Sequence, residues 1–117
     1  MFVLEYYLCI IRLGLGLKQR RKVMTKKKIL AVVELYRERF EAEEIPKIRL
    51  GLDDKFCSRW DMLAHAHYLL DGIVEYVENP EQVGETGRHL GCVQMLLIVC
   101  GCYTIREVMN HNRPDES

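Results

Sequence analysis

DDKFCSRWDMLAHAHYLLDGIVEYVEN, residues 53–79, followed at once by PEQVGETGRHLGCVQMLLIVCG, residues 80–101, decides the fold. In the first segment Phe56, Trp60, Leu63, His67, Leu70, Val74 and Val77 recur three or four residues apart. That is the period of a helix with one apolar stripe. Asp53 or Asp54 is the expected N-cap. Gly72 lies inside the pattern, where glycine costs about 1 kcal/mol relative to alanine, and therefore implies a close helix contact. At Asn79-Pro80 the helix must break, because asparagine suits an N-cap and proline the first helical position. The second segment is then a new helix. Gly84, Gly87 and Gly91 lie early in it, and an apolar run from Val93 to Cys100 lies late. A run that dense implies burial on more than one side, by the bundle or by a second subunit.

Working outward, TKKKILAVVELYRERFEAEE (25–44) places Ile29, Val33, Tyr36 and Phe40 on one helical face and Glu34, Arg37, Glu38 and Arg39 outside it. Ile45-Pro46 stops this helix, since proline drives the preceding residue out of the helical region. The following IPKIRLGL is too short and irregular for a helix and reads as an extended connection over the core. On the other side, Gly101 ends the apolar helix, and Thr104-Ile105-Arg106-Glu107 is a capping box for a short last helix. That helix runs to about His111, ahead of Asn112-Arg113-Pro114 and a frayed tail at 115–117. The expected fold is all-α: a small bundle of three main helices plus a short C-terminal one.

Residues 1–23, MFVLEYYLCIIRLGLGLKQRRKV, do not fit this domain. Glu5 and Arg12 interrupt the apolar run, which falls short of the roughly 18–20 apolar residues needed to span a bilayer. Its basic cluster (residues 18–22) follows the apolar run, the reverse of a secretory signal. Arg20-Arg21 is compatible with AGG-AGG codons, the core of a bacterial ribosome-binding sequence, and Met24 begins MTKKKIL just beyond. The expectation is therefore a domain at 24–117 preceded by translated upstream sequence or a flexible extension.

Seventeen basic and seventeen acidic side chains cancel in a chain of 117 residues. A surface tuned throughout for nucleic acid is not expected from that balance, and weak colloidal repulsion favours self-association. Five cysteines are an odd number, and Cys92, Cys100 and Cys102 sit in or beside one apolar helix. Free thiols in a reducing cytoplasm account for this better than a disulfide framework.

No nucleophile elbow, phosphate loop or dinucleotide fingerprint is present, and no Glu-x-x-His pair of the di-iron bundles. Catalysis is thus unsupported, and no cofactor is implied. His65 and His67, two apart on a helix, diverge and cannot chelate one ion. His89 and Cys92 share a face and could begin a zinc site, but no signature supplies the remaining ligands, so no metal is expected. Arg59, Trp60 and His67 on the second helix, with Arg88 and His89 on the third, could line one groove. Arginine, tryptophan and histidine are the residues that clamp phosphates and stack on bases, so a nucleotide is the candidate small ligand. The competing reading makes Trp60 a core anchor flanked by arginines that reach solvent. A weaker alternative is a DNA-binding regulator that reads base edges with Arg106, Asn110 and Arg113 of the last helix.

The ending GRHLGCVQMLLIVCGCYTIREVMNHNRP (87–114) resembles the ends of small helical proteins encoded by phages and prophages. The matching residues are Arg88, Leu90, Gly91, Gln94, Gly101, Thr104, Ile105, Glu107, His111, Asn112, Arg113 and Pro114. The resemblance covers about a quarter of the chain. It implies a helical fold and a viral or prophage gene acting in bacterial host cytoplasm, and it carries no activity. Together these features point to a non-enzymatic accessory protein, homo-oligomeric through the third helix, that binds a host or viral protein and does not enter a membrane.

Overall fold

The computed structural model of the chain describes residues 24–114. The 1–23 extension, its basic cluster and the tail 115–117 lie outside the described residues. The described residues form four α-helices in order: α1 Lys26–Ala42, α2 Arg59–Tyr76, α3 Val83–Val99 and α4 Ile105–Asn112. The described residues contain no strand, and none of their helices is long and apolar enough to cross a membrane.

Helix α1 begins at Thr25, whose hydroxyl accepts from Lys28 N. It buries Ile29, Val32, Val33, Tyr36 and Phe40, the face expected from the sequence. Its exit is made by Glu44, which adopts the left-handed conformation (φ 58°) and turns the chain so that Ile45 drops into the core. From there residues 45–57 run as irregular backbone across α2. Ile48 N donates to Ala64 O and Leu50 N to His65 Nδ1.

The start of α2 differs from the sequence expectation. Ser58, not Asp53 or Asp54, is the N-cap. Its hydroxyl accepts from Asp61 N (3.1 Å), and the Asp61 carboxylate accepts from Cys57 N (3.2 Å). This reciprocal pair satisfies donors that a helix start otherwise leaves bare. Asp54 is used elsewhere: its carboxylate accepts from Gly51 N and holds a tight turn with Leu52 at the apex. Phe56 therefore precedes the helix, and both it and Trp60 are exposed. Trp60, at 49% exposure, is no core anchor.

α2 runs antiparallel to both α1 and α3. Arg37 pairs with Asp71 (2.6 Å) and Phe40 stacks on His67, which fixes α1 against α2. Burial alone would raise the Asp71 carboxyl, but hydrogen bonds from Arg37 and Lys47 outweigh it and hold it below the usual range. Arg59 reaches Cys100 O (2.8 Å) at one end of the α2–α3 pair, and Gly72 faces His89 at the other. A Cβ at Gly72 would lie 3.3 Å from the His89 ring, so the glycine does mark a close approach. Asn79 caps a 3-10 turn, Pro80–Gln82, that leads into α3.

The dense run of α3 is consumed inside this one chain. Val93, Gln94, Met95, Leu96 and Leu97 are all buried, with Val99 left outside. The Thr104 capping box is present, with both hydrogen bonds made, and α4 docks Val108 against Met95, Ile98 and Tyr103.

The cap assignment has a measurable consequence. Ser58→Ala should destabilise the protein by about 1 kcal/mol, whereas Asp53→Ala should stay within roughly 0.5 kcal/mol of wild type. Urea denaturation followed by circular dichroism separates the two; equal losses would restore Asp53 as a capping residue.

Candidate functional site

The residues singled out for one groove do not meet. Arg59 caps the C-terminal end of α3 through Cys100 O and also reaches Cys102 Sγ (3.7 Å). Arg88 sits near the other end of α3, paired with Glu85. From Arg88 to Cys100 the axis climbs about 18 Å at the helical rise of 1.5 Å per residue, which is too far for a shared clamp. His89 turns inward on its own helix: its Nδ1 lies 3.0 Å from Glu85 O, and its ring meets Tyr76 edge-on. Burial, with Arg88 nearby, holds it below the ordinary histidine range.

His67 is a core residue. A carbonyl only accepts, so its Nδ1 carries the hydrogen that bonds Ile45 O at 2.7 Å. It therefore anchors the exit of α1 to α2. Its Nε2 and Arg37 Nε are the buried side-chain polar atoms without a protein partner among the described residues.

Cys92 is partly buried, and burial pushes its thiol upward. Among the described residues no three His, Cys, Asp or Glu side chains gather where a metal ion could be held. On α4, Arg106 and Asn110 are exposed, and Arg113 Nε is tied to Asn110 Oδ1 (2.8 Å).

Two other groupings emerge. One is a surface. Phe56 meets His65 edge-on (centroids 5.8 Å apart), and His65 stacks on Tyr68 (6.0 Å). Ile48, Leu52 and Trp60 are exposed on the same stretch of chain. Leu52 is 93% exposed at the apex of the Asp54-held turn, a position that hides it from water only if something covers it. Burial, with Arg49 close by, holds His65 below its ordinary range.

The other grouping is a buried polar cluster that joins three helices. Gln94 uses both amide hydrogens, one on Asn112 Oδ1 (2.7 Å) and one on the Tyr36 oxygen (3.2 Å). Its own oxygen accepts from Asn112 Nδ2 (3.1 Å). The Tyr36 oxygen is thus an acceptor toward Gln94, and His111 Nδ1, 2.8 Å away, receives its hydrogen when the ring carries its own on Nε2. Burial pushes the Tyr36 phenol well above its usual range and keeps it protonated. Tyr103 packs on both rings, and the Arg39 guanidinium lies over Tyr103 at 4.8 Å.

Sequence reasoning passed over this cluster because Gln94 lies in an apolar run and Tyr36 on an apolar stripe, where each reads as filler. The available signal was the pairing of a lone amide in that run with His111-Asn112 at the chain's end. Gln94, His111 and Asn112 all lie within residues 87–114, so residues of that ending meet in space.

No family model, no curated protein and no solved structure matches this chain.

Removing one member of the cluster strands the others. Gln94→Leu leaves Asn112 and the Tyr36 hydroxyl short of partners, and each buried orphan costs about 1–3 kcal/mol. The variant should lose at least ~2 kcal/mol by denaturant unfolding, while a near-neutral result would mean that the cluster is already hydrated.

Proposed function

We propose that this chain is a non-catalytic interaction protein that self-associates through the ridge running from Ile48 to Tyr68. The observation that carries the reading is the exposure of Ile48, Leu52, Phe56, Trp60 and Tyr68 within one short stretch of sequence. Scattered single apolar residues on a surface are ordinary, but grouped ones mark contact sites. The surface first expected, the apolar end of α3, is spent inside the bundle, so the candidate interface moves to the ridge.

A second copy of the chain is the partner that charge favours. Lys47, Arg49 and Lys55 share this stretch with Asp53, Asp54 and Asp61. A two-fold contact apposes a patch with itself, so a patch of mixed sign can set unlike charges against each other. The resemblance of residues 87–114 to the ends of phage and prophage proteins supports reading it as an accessory protein of a bacterial host's cytoplasm, with a host or viral protein as its further partner.

The exposed rings also favour a second reading, in which an unpaired base of a nucleotide stacks on Phe56 or Trp60. Arg49 and Lys55 would face its phosphate.

Size-exclusion chromatography with light scattering tests the first reading. A dimer or higher oligomer is expected, and Leu52→Asp with Phe56→Ser should return it to monomer with the helical content unchanged. A wild-type monomer at high concentration would remove self-association. Thermal shift with nucleotides distinguishes the second reading, because saturation to 100 times Kd stabilises by about 2.7 kcal/mol.

A further inference from the structure

We infer that α4 is an acid-released latch, clasped to α1 and α3 through the Tyr36 hydroxyl and freed when His111 takes a proton on Nδ1. The proposal stands on the direction of each hydrogen bond in the buried cluster. Gln94 has no third amide hydrogen and no spare orientation, since Asn112 holds both ends of its amide. Tyr36 therefore accepts from Gln94, and His111 Nδ1 is the one acceptor in this cluster left for its own hydrogen. The imidazole must be bare at Nδ1 and protonated at Nε2.

A proton on Nδ1 turns the last acceptor of this chain into a donor. The Tyr36 hydrogen then has nowhere to go, because Gln94 also presents a donor to it. The one arrangement that repairs the conflict inside the closed bundle rotates the Gln94 and Asn112 amides by half a turn together. Both side chains are buried, and turning either alone sets like atoms against like. Undocking α4 relieves the conflict without that coordinated step.

α4 is also the element with least else to hold it. It has eight residues, and of its apolar side chains only Val108 is fully buried. The groups facing His111 are Tyr36 and Lys28 from α1, Tyr103 from the preceding loop and Glu107 from α4 itself. Gln94 of α3 and Asn112 act through Tyr36, and Arg39 lies beyond Tyr103.

Burial lowers the His111 titration below its ordinary 6.5, with Lys28 adding to the effect and Glu107 opposing it. The released helix therefore binds the proton more readily than the docked one. Docking is at full strength above pH 6.5 and is lost as pH falls from there through the docked-state value. His65 and His89 are shifted in the same direction, so global stability also declines in acid, and only a local measurement isolates the latch.

Amide hydrogen exchange and histidine ¹⁵N spectra of the full chain, recorded near pH 7.5 and near pH 5, bracket the titration of an ordinary histidine and supply that measurement. At the higher pH His111 should be the Nε2-protonated tautomer. On acidification the Val108 and Met109 amides should lose at least ~10-fold more protection than those of α2 and α3, as expected of local opening. His111→Gln, which offers an acceptor and does not titrate, should remove the excess. Tyr36→Phe should leave α4 weakly protected at both pH values. Protection in α4 that falls only in step with α2 and α3 would overturn the proposal. So would a His111 that takes its Nδ1 proton with α4 still protected, because that is the coordinated amide rotation.

Discussion

Helix α2 is apolar on two sides, and the rest of the structure follows from the need to cover both. Leu63, Ala64, Ala66, Leu70 and Ile73 are essentially inaccessible to water, yet they spread over more than a single stripe of the helix. One neighbour cannot bury them all. α1 takes the side that carries His67 and Asp71, and α3 takes the side that carries Gly72. The small residues Ala64 and Gly72 lie where the Ile48 backbone and the His89 ring come close, and the bulky ones fill the space between helices. At roughly 25 cal/mol per Å² of apolar surface removed from water, this sandwiching is the largest favourable contribution available to so small a chain.

The same constraint shapes the exposed ridge. With α2 covered on two sides, the chain between α1 and α2 has only its outer flank to cross. Ile45 fills the last gap in the core, and His67 fixes it by a backbone hydrogen bond. Beyond that point Ile48, Leu52 and Phe56 lie on solvent. The Ser58–Asp61 cap then starts α2 late enough to keep Phe56 out of the helix. No element of the described bundle covers the ridge, so its apolar residues require an explanation outside the bundle.

Periodicity made the helices legible. Ile29, Val33, Tyr36 and Phe40 read correctly as a buried face, and Asn79-Pro80 and Thr104–Glu107 read correctly as junctions, because each rests on short-range physics visible in a few residues. The start of α2 was misread for the same reason. Asp53, Asp54 and Ser58 are all good caps, and the choice depends on where Asp54 and Asp61 find backbone donors in space. The proposed groove failed because composition brought Arg59, Trp60, Arg88 and His89 together while an antiparallel pairing set the two arginines near opposite ends of α3. The Tyr36–Gln94–His111–Asn112 cluster was hidden because hydrogen-bond direction is a three-dimensional property that no spacing rule encodes.

Stability alone does not account for that cluster. Replacing a satisfied buried polar network by apolar side chains of the same shape is often neutral or better, so four polar residues are a poor way simply to glue α4 down. What they supply is orientation. A helix of eight residues is too short to be stable in isolation, and a single buried valine can settle into more than one register against α3. The amide pair fixes one register, because Gln94 and Asn112 match only when both ends of each amide meet. The tyrosine then ties that register to α1. A polar clasp of this kind specifies a single docked geometry and, through His111, makes that geometry depend on one proton.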